Sequence, residues 1–303
     1  MNLDKQTYLV EFNGNVVSVE SRVVSVSDKI EKLFKDLLAP SEKYVQGENS
    51  CLIKTYSVEQ SDTDASVMIK QAEQVVHVQG DGHDVEVANV LMNQIKLDLL
   101  SVIDDSLVLH AALVSYQGQS ILLPGKSGQG KSLMTLGLLS LGCNYHTDEV
   151  VLQHLGDSSL SVFVRPLMIK QHGAEVARSL LGSEFDRCAI QGSSMHSLPI
   201  DALHDFFKTE QPNEKMKCSL QQPPPIHCIV FPCYDAKSTG EVVSLSPAQT
   251  MIQLFENNVV ARNLPSLGAE TLKNLSVQAK GVALNYAGYH QLPKLFKEIQ
   301  LIM

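Results

Sequence analysis

The chain has 303 residues, and its 24 Lys and Arg against 33 Asp and Glu give a formal net charge of −9. Hydrophobic residues account for 44% and charged residues for 19%, which excludes wholesale disorder because enough apolar material is present to bury a core. The length allows two domains, and the acidic balance argues against a general nucleic-acid binder, since no positive field would attract phosphate backbones.

Residues 1–103 are predicted to form a small α+β accessory domain. The block begins with a hairpin that turns at Asn13 and Gly14. Apolar residues at helical spacing then predict a helix over 28–38, with Ser27 as its N-cap, and a second helix over 84–102. Further strands are predicted at 51–56 and 75–78. We find no catalytic constellation in this block.

The start of the chain has no long apolar stretch behind basic residues, so no signal peptide is predicted. Its longest apolar stretches, such as 133–141, reach about half a membrane span. The six cysteines contain no C-x-x-C pair, so neither a structural zinc site nor a disulfide framework is expected. We therefore predict a cytoplasmic protein with no membrane partner.

Residues 104–303 are predicted to form a second domain that begins with two apolar strands, at 107–114 and 120–124. The second strand runs directly into a glycine-rich segment, and a helix over 133–141 follows, closed by Gly142. A strand over 144–153 is interrupted by Thr147, Asp148 and Glu149. The order strand, glycine-rich loop, helix is typical of a phosphate-binding unit.

The rest of the second domain alternates strands with helices around one long polar stretch. Residues 182–225 are interpreted as an exposed excursion with a short helix over 200–207. The other predicted elements are strands at 160–165 and 226–231 and helices at 246–260 and 289–299.

The glycine-rich segment matches G-x-x-x-x-G-K-[ST], the phosphate loop, at every fixed position. Its glycines let consecutive N–H groups point into one concavity, and the following helix N-terminus adds positive potential. Lys131 would supply a full charge to the outer phosphates, and the Ser132 hydroxyl would ligate Mg²⁺. The alternative is a strand-to-helix turn with no ligand. The predicted nucleotide-binding residues are Gly125, Lys126, Ser127, Gly128, Gln129, Gly130, Lys131, Ser132 and Leu133.

Two adjacent carboxylates, Asp148 and Glu149, follow the loop after one helix and near the next strand. Beside a triphosphate, one can hold Mg²⁺ while the other accepts the proton of an attacking hydroxyl. An isolated Asp-Glu pair is otherwise a solvated turn. His110 stands in the apolar run one strand before the loop, either as a core residue or as a partner of Asp148 that tunes its proton affinity.

Several short segments besides the loop carry a family resemblance. They are Leu109-His110-Ala111-Ala112, Leu123-Pro124-Gly125, Thr147-Asp148-Glu149, Arg165-Pro166-Leu167 with Lys170, Ile229-Val230-Phe231-Pro232 with Tyr234, and Leu245-Ser246-Pro247-Ala248. Over about residues 105–300 the chain resembles the HPr kinase/phosphorylase superfamily, in particular the HPr-kinase-related kinases. The resemblance implies an α/β fold: a P-loop kinase domain of the HPr kinase/phosphoenolpyruvate carboxykinase type, with a small N-terminal α+β domain.

By position, the resemblance implies that Asp148 is the catalytic base, poised by His110, and that Glu149 lies near the metal. It implies phosphate or substrate contacts for Arg165 and Lys170, for which surface charge is the alternative. The chain departs from the family pattern at two positions: HPr kinases carry an acidic residue where this chain has Lys126, and Asp where it has Glu149. It also lacks the glycine-rich signature that HPr kinases carry downstream of the acidic pair. The phosphorylase reaction, hexamer assembly and HPr as acceptor are therefore not carried over.

The leading functional hypothesis is an ATP- and Mg²⁺-dependent kinase that transfers the γ-phosphate to a hydroxyl, with serine of a protein or peptide as the favoured acceptor. The alternatives are a small-molecule hydroxyl kinase and a nucleotide-binding regulatory module without transfer activity. A nucleotide and a protein or peptide acceptor are the expected partners. The acceptor's identity, the purine preference and assembly into a homo-oligomer stay open.

Overall fold

The computed structural model describes residues 5–40, 51–61, 63–64, 66–80, 82–125, 130–210, 222–256 and 264–303. The chain divides into two compact units, one of residues 1–103 with 189–199, and one of residues 104–188 with 200–303. The sequence-based division assigned 189–199 to the second domain, so the structure differs from it in this segment.

The regular elements of the described residues are numbered here in chain order. Up to residue 103 they are β1 (Gln6–Phe12), β2 (Asn15–Ser21), α1 (Val24–Leu33), a 3-10 turn (Lys35–Leu37), β3 (Cys51–Gln60), β4 (Val67–Gln71), β5 (Gln74–Gln79) and α2 (Asp84–Ser101). From 104 to 154 they are β6 (Ser106–Leu109), β7 (Ala111–Tyr116), β8 (Gln119–Pro124), α3 (Lys131–Leu139), β9 (Asn144–Thr147) and β10 (Val150–His154).

From 155 to 210 the elements are β11 (Leu160–Phe163), β12 (Leu167–Lys170), a 3-10 turn (Gln171–Gly173), α4 (Ala174–Leu181), α5 (Glu184–Cys188), β13 (Ile190–Gln191), β14 (Met195–Leu198) and α6 (Ile200–Glu210). The last are β15 (Ile226–Tyr234), β16 (Glu241–Leu245), α7 (Pro247–Glu256), a 3-10 turn (Pro265–Gly268), α8 (Ala269–Gln278), β17 (Lys280–Tyr286), a 3-10 turn (Tyr289–Gln291) and α9 (Leu292–Ile302). Every helix in the described ranges is too short or too polar to cross a membrane.

The first unit is a five-stranded sheet with strands in sequence order, against which α1 and α2 pack. Its β1–β2 hairpin turns at Asn13 and Gly14, both with positive φ, as predicted. The first helix begins four residues earlier than predicted, and Ser27 lies inside it, buried and hydrogen-bonded to the Ser21 hydroxyl, so it is not the N-cap. The buried apolar side chain of Val26, one turn before Ile30, explains the earlier start.

Residues 189–199 belong to the first unit as the short β13–β14 hairpin. The Ser193 amide donates to the Glu86 carboxylate of α2, and Leu198 is buried. The interpretation of 182–225 as one exposed excursion is therefore wrong for this part. It is also wrong for α5 and α6, whose apolar side chains, such as Phe185 and Leu203, are buried. Residues 211–221 lie outside the described residues.

The second unit contains a six-stranded sheet in the order β16-β17-β15-β8-β7-β9. Strands β8, β15 and β17 are parallel neighbours, while β7, β9 and β16 pair antiparallel at the two sides. A smaller sheet, β11-β10-β6, adjoins it along the chain. The predicted single strand at 107–114 is in fact two strands, because the chain leaves the small sheet at Leu109 and enters the large one at Ala111.

A continuous hydrophobic core joins the two sheets of the second unit to α7 and α8. Its members are apolar side chains with 7% exposure or less, including Leu107, Leu109, Leu113, Leu122, Val151, Ile229, Leu254, Leu272 and Leu275. Leu122 of β8 belongs to this core, and β8 pairs with β15 on one side and β7 on the other. The carboxyl end of β8, where the glycine-rich segment starts, therefore lies in the middle of the six-stranded sheet.

Gly281 in β17 lies directly against the helix α7. A Cβ built there would overlap the Thr250 hydroxyl and lie 2.9 Å from the Thr250 Cβ in α7. The Thr250 hydroxyl donates to the Ser246 carbonyl at 3.0 Å, so it is held in place.

We expect Gly281→Ala to destabilise the protein by about 1–3 kcal/mol, the usual cost of overpacking. Thermal unfolding followed by circular dichroism measures this as a lowered midpoint. Gly156→Ala is the matched control, because a Cβ at Gly156 meets nothing within 4 Å. Equal midpoints for the two variants would show that α7 yields to the added methyl without cost.

Candidate functional site

The phosphate-loop motif lies between the buried strand β8 and the helix α3, as the sequence predicts. Lys126, Ser127, Gly128 and Gln129 lie outside the described residues. Gly130 directly precedes α3 and has a φ of 83°, a left-handed conformation that favours glycine. A Cβ at Gly130 would also come within 2.9 Å of the Tyr286 hydroxyl. Both the backbone conformation and the crowding therefore require glycine here.

Lys131, the first residue of α3, is only 6% exposed. Its Nζ donates to the Gly125 carbonyl and so joins the two ends of the motif. Burial lowers the pKa of Lys131 to about 8, while the nearby charges of Glu149 and Asp148 counteract that shift. The site therefore holds an ammonium group with little water around it, at the N-terminal end of a helix, where phosphate groups bind well.

Asp148 is a buried carboxylate whose two oxygens accept hydrogen bonds from neighbouring groups. Ser132 Oγ lies 3.0 Å and the Met168 amide nitrogen 3.3 Å from Oδ2. The Tyr145 hydroxyl and Arg165 Nε both lie 3.4 Å from Oδ1. Its side chain is 1% exposed. Ser132, the Met168 amide and Arg165 supply hydrogen bonds to a carboxyl group that would otherwise be costly to bury.

Glu149 shares an arginine with Asp148 and faces a histidine. Arg165 Nη2 lies 2.7 Å from Glu149 Oε2, and His110 Nδ1 lies 3.9 Å from Oε1. Burial disfavours the Arg165 charge, but the two carboxylates outweigh burial and raise the pKa of Arg165. The result is a compact charge network of two carboxylates, Arg165 and the adjacent Lys131.

Local folding explains why the acidic pair lies here. Strand β9 ends at Thr147 in the large sheet, and β10 begins at Val150 in the small sheet. The Thr147 hydroxyl donates to the Phe163 carbonyl at 2.7 Å and accepts from the Glu149 amide at 3.2 Å. The chain between the two strands is therefore fixed by hydrogen bonds and is not a solvated turn.

The structure brings some of the predicted residues together and not others. His110 has Glu149 as its carboxylate neighbour, whereas the family resemblance implies Asp148; the sequence alone left a core role open. Arg165 turns inward to the two carboxylates, and its contact with phosphate or substrate stays a prediction. Lys170 is exposed, and Leu133 packs near Gly173, where a Cβ would lie 3.0 Å from its Cδ1.

The sequence analysis missed two groups that touch Asp148, the Tyr145 hydroxyl and the Met168 amide. Tyr145 is fully buried, and its hydroxyl donates to the Arg165 carbonyl at 2.9 Å. A tyrosine two residues before Thr147 on the same strand face is a usable signal for a site residue. A backbone amide 20 residues downstream leaves no signal in the sequence.

The oxygen atoms of this site suit a magnesium ion only if a bound nucleotide supplies further oxygen ligands. In the described part of the chain, no three His, Cys, Asp or Glu side chains are grouped so as to hold a metal ion by themselves. Ser132, Asp148 and Glu149 offer the hard oxygen donors that Mg²⁺ prefers. Mg²⁺ usually takes one or two carboxylates and completes its shell with phosphate oxygens and water. These residues therefore fit a magnesium ion that arrives with a nucleotide.

Three comparisons with known proteins were made: with protein-family models, with curated proteins and with solved structures. No protein-family model matches it, and no curated protein matches it. Among solved structures it is similar to the HPr(Ser) kinase/phosphatase from Coxiella burnetii, at 13% sequence identity, covering 65% of this chain and 97% of that chain, with a TM-score of 0.32. This is a distant structural relationship, so the function has to be argued from the site itself.

Proposed function

We propose that this protein is an ATP- and Mg²⁺-dependent kinase that transfers the γ-phosphate to a hydroxyl, with serine of a protein or peptide as the favoured acceptor. One observation carries the proposal. The lysine and serine of the loop motif, Lys131 and Ser132, stand at the start of α3 with Ser132 Oγ 3.0 Å from the Asp148 carboxylate. This arrangement puts a phosphate-binding cation and a magnesium-binding hydroxyl beside two acids.

Lys131 would neutralise the outer phosphates. Its ammonium bonds to the Gly125 carbonyl, and on binding it would exchange this neutral acceptor for charged phosphate oxygens. Charge-assisted hydrogen bonds are roughly twice as strong as neutral ones. Burial strengthens them further, because few water molecules compete at a side chain that is 6% exposed.

The geometry favours an exchange of the roles that the resemblance implies for the two acids. Asp148 contacts Ser132 and accepts hydrogen bonds on both oxygens, which suits a group held in a fixed position at the metal. Glu149 faces His110, an imidazole able to receive or pass on a proton. We therefore assign Asp148 with Ser132 to the metal, and Glu149 to accepting the proton of the attacking hydroxyl. Arg165, which contacts both carboxylates, would orient them.

The two alternative functions make different demands on this site. A nucleotide-binding module without transfer activity needs no proton acceptor, and the Glu149–His110 neighbourhood argues against it. A small-molecule kinase would use the same chemistry. The preference for a protein or peptide acceptor depends on the family resemblance described above.

Incubation with γ-labelled ATP tests the proposal. The protein is mixed with Mg²⁺ and either a peptide and protein library or a panel of small hydroxyl compounds, and the labelled atom is mapped. We expect label on serine hydroxyls. Label only on small molecules would support the alternative function, a small-molecule hydroxyl kinase. Tight ATP binding without any transfer would indicate a regulatory module.

The low pKa of Lys131 gives this site a pH signature. With a pKa of about 8 in the free protein, the Lys131 side chain loses its proton progressively as the pH rises through that value, and only the protonated form attracts phosphate. Apparent ATP affinity should therefore be constant below about pH 7 and about tenfold weaker at pH 9. Isothermal titration from pH 6 to 9.5 measures it. Lys131→Arg, which stays charged, should show no such fall, and a fall that persists in this variant would assign it to another group.

A further inference from the structure

A cluster of three tyrosines lies across the phosphate-loop strand from the acidic pair. In the large sheet, β7 and β9 lie on one side of β8, and Asp148 and Glu149 follow β9. On the other side lie the parallel strands β15 and β17, which end at Tyr234 and Tyr286. Because β8, β15 and β17 are parallel, their carboxyl ends meet at the edge of the sheet where the loop begins.

The inner two tyrosines of this cluster are fixed against the loop and its helix. A Cβ at Gly130 would lie 2.9 Å from the Tyr286 hydroxyl and 3.8 Å from that of Tyr289. The two hydroxyls are hydrogen-bonded to each other, and the rings lie 5.8 Å apart. A Cβ at Gly137 in α3 would lie 3.3 Å from the Tyr289 ring. Small residues in the motif helix thus allow these rings to lie beside the phosphate site.

Tyr234 is the outer member, and it is exposed where the other two are not. It is the register partner of Tyr286, with ring centroids 5.7 Å apart in an edge-to-face arrangement. Tyr234 is 62% exposed, whereas Tyr286 is 1% exposed. An aromatic ring held by an aromatic neighbour, at the end of a rigid strand and open to solvent, is the kind of surface on which nucleobases stack.

We infer that Tyr234 is the stacking platform for the base of the bound nucleoside triphosphate. The inference depends on the proposed function, because it requires a triphosphate at Lys131. The reacting end of the triphosphate would face Asp148 and Glu149, and the nucleoside end would face the opposite side of β8, where Tyr234 lies. Since every base has an aromatic face, stacking on Tyr234 adds affinity to ATP and GTP alike.

The test compares two ligands that differ only in the nucleoside. Dissociation constants of Mg-ATP and of magnesium tripolyphosphate are measured by titration calorimetry for wild type, Tyr234→Leu and Tyr234→Phe. Base–aromatic stacking corresponds to about 5- to 150-fold in affinity. We expect Tyr234→Leu to weaken ATP binding by about tenfold or more and to leave tripolyphosphate binding unchanged, while Tyr234→Phe binds ATP like wild type.

A second readout follows from the composition. The chain has 8 Tyr and no Trp, so its intrinsic fluorescence is that of tyrosine alone. ATP should quench this emission in wild type, tripolyphosphate should quench it less, and Tyr234→Leu should lose the difference. Phe255→Leu, at an exposed aromatic of α7, is the matched control and should behave like wild type.

The possible outcomes distinguish a failure of the stacking platform at Tyr234 from a failure of the proposed kinase function. If Tyr234→Leu binds ATP like wild type, or loses ATP and tripolyphosphate affinity equally, the stacking platform is refuted while the phosphate site stands. If wild type binds neither ligand, the proposed function fails and the inference fails with it.

Discussion

Replacing Lys131 with alanine is expected to weaken Mg-ATP binding by about 100-fold or more and to remove phosphate transfer with it. A hydrogen bond to a charged group contributes up to about 3 kcal/mol, which is about 150-fold in affinity. We expect the contribution of Lys131 to binding to lie at the upper end of this range, because the side chain is 6% exposed and stands at a helix N-terminus. Titration calorimetry gives the affinity, and γ-labelled ATP gives the transfer rate.

The control for this variant is Lys273→Ala, an exposed lysine in α8 of the same unit, which should bind ATP like wild type. Circular dichroism confirms that the Lys131 variant is folded. A folded Lys131→Ala protein with unchanged affinity and turnover would refute the assignment of residues 125–132 as a phosphate site, and the kinase proposal with it.

The second large effect is expected for Glu149→Gln. The amide keeps the shape of the side chain but cannot take a proton at neutral pH, so transfer should fall by about 10²–10⁴-fold, the usual contribution of a general base. ATP affinity should change only a few-fold, because Glu149 is not assigned to the phosphates. Rates are measured at saturating ATP, so that a loss in chemistry is not confused with a loss in binding.

Asp148→Asn is the matched variant, with the same chemical change at the neighbouring acid. We expect it to raise the Mg²⁺ concentration needed for half-maximal transfer, because Asp148 and Ser132 are assigned to the metal. The opposite pattern, with a magnesium effect for Glu149→Gln and a pure rate effect for Asp148→Asn, would return the proton-accepting role to Asp148, as the family resemblance implies.

Sequence reasoning succeeded where local pattern decides the structure. The apolar strand before Gly125, the helix after Gly130 and the interruption of a strand at Asp148 and Glu149 all appear in the structure. Each depends on hydrophobic period or on glycine placement within about ten residues. The helix over 84–102 was predicted to within one residue for the same reason.

Sequence reasoning failed where distant segments decide the structure. The partner of His110 depends on how two sheets meet, and spacing along the chain does not reveal whether Asp148 or Glu149 faces it. The sequence of the hairpin at 189–199 predicts a polar loop, because the residues that stabilise the hairpin are distant in the chain. Glu86, which accepts a hydrogen bond from the Ser193 amide, is 107 residues away. Tyr234 carried a family resemblance but no role, because the sequence does not reveal that β15, which ends at Tyr234, pairs with β8.

The path of the chain between its two sheets in the second unit has a mechanical consequence. The chain crosses between the sheets at His110, between β6 and β7, and again at Asp148 and Glu149, between β9 and β10. The two crossings are tied together because β6 pairs with β10 and β7 pairs with β9. Two strand pairings therefore set the spacing between the imidazole and the two acids. The hydrogen bond from Ser132 to Asp148 joins these crossings to the helix that carries Lys131.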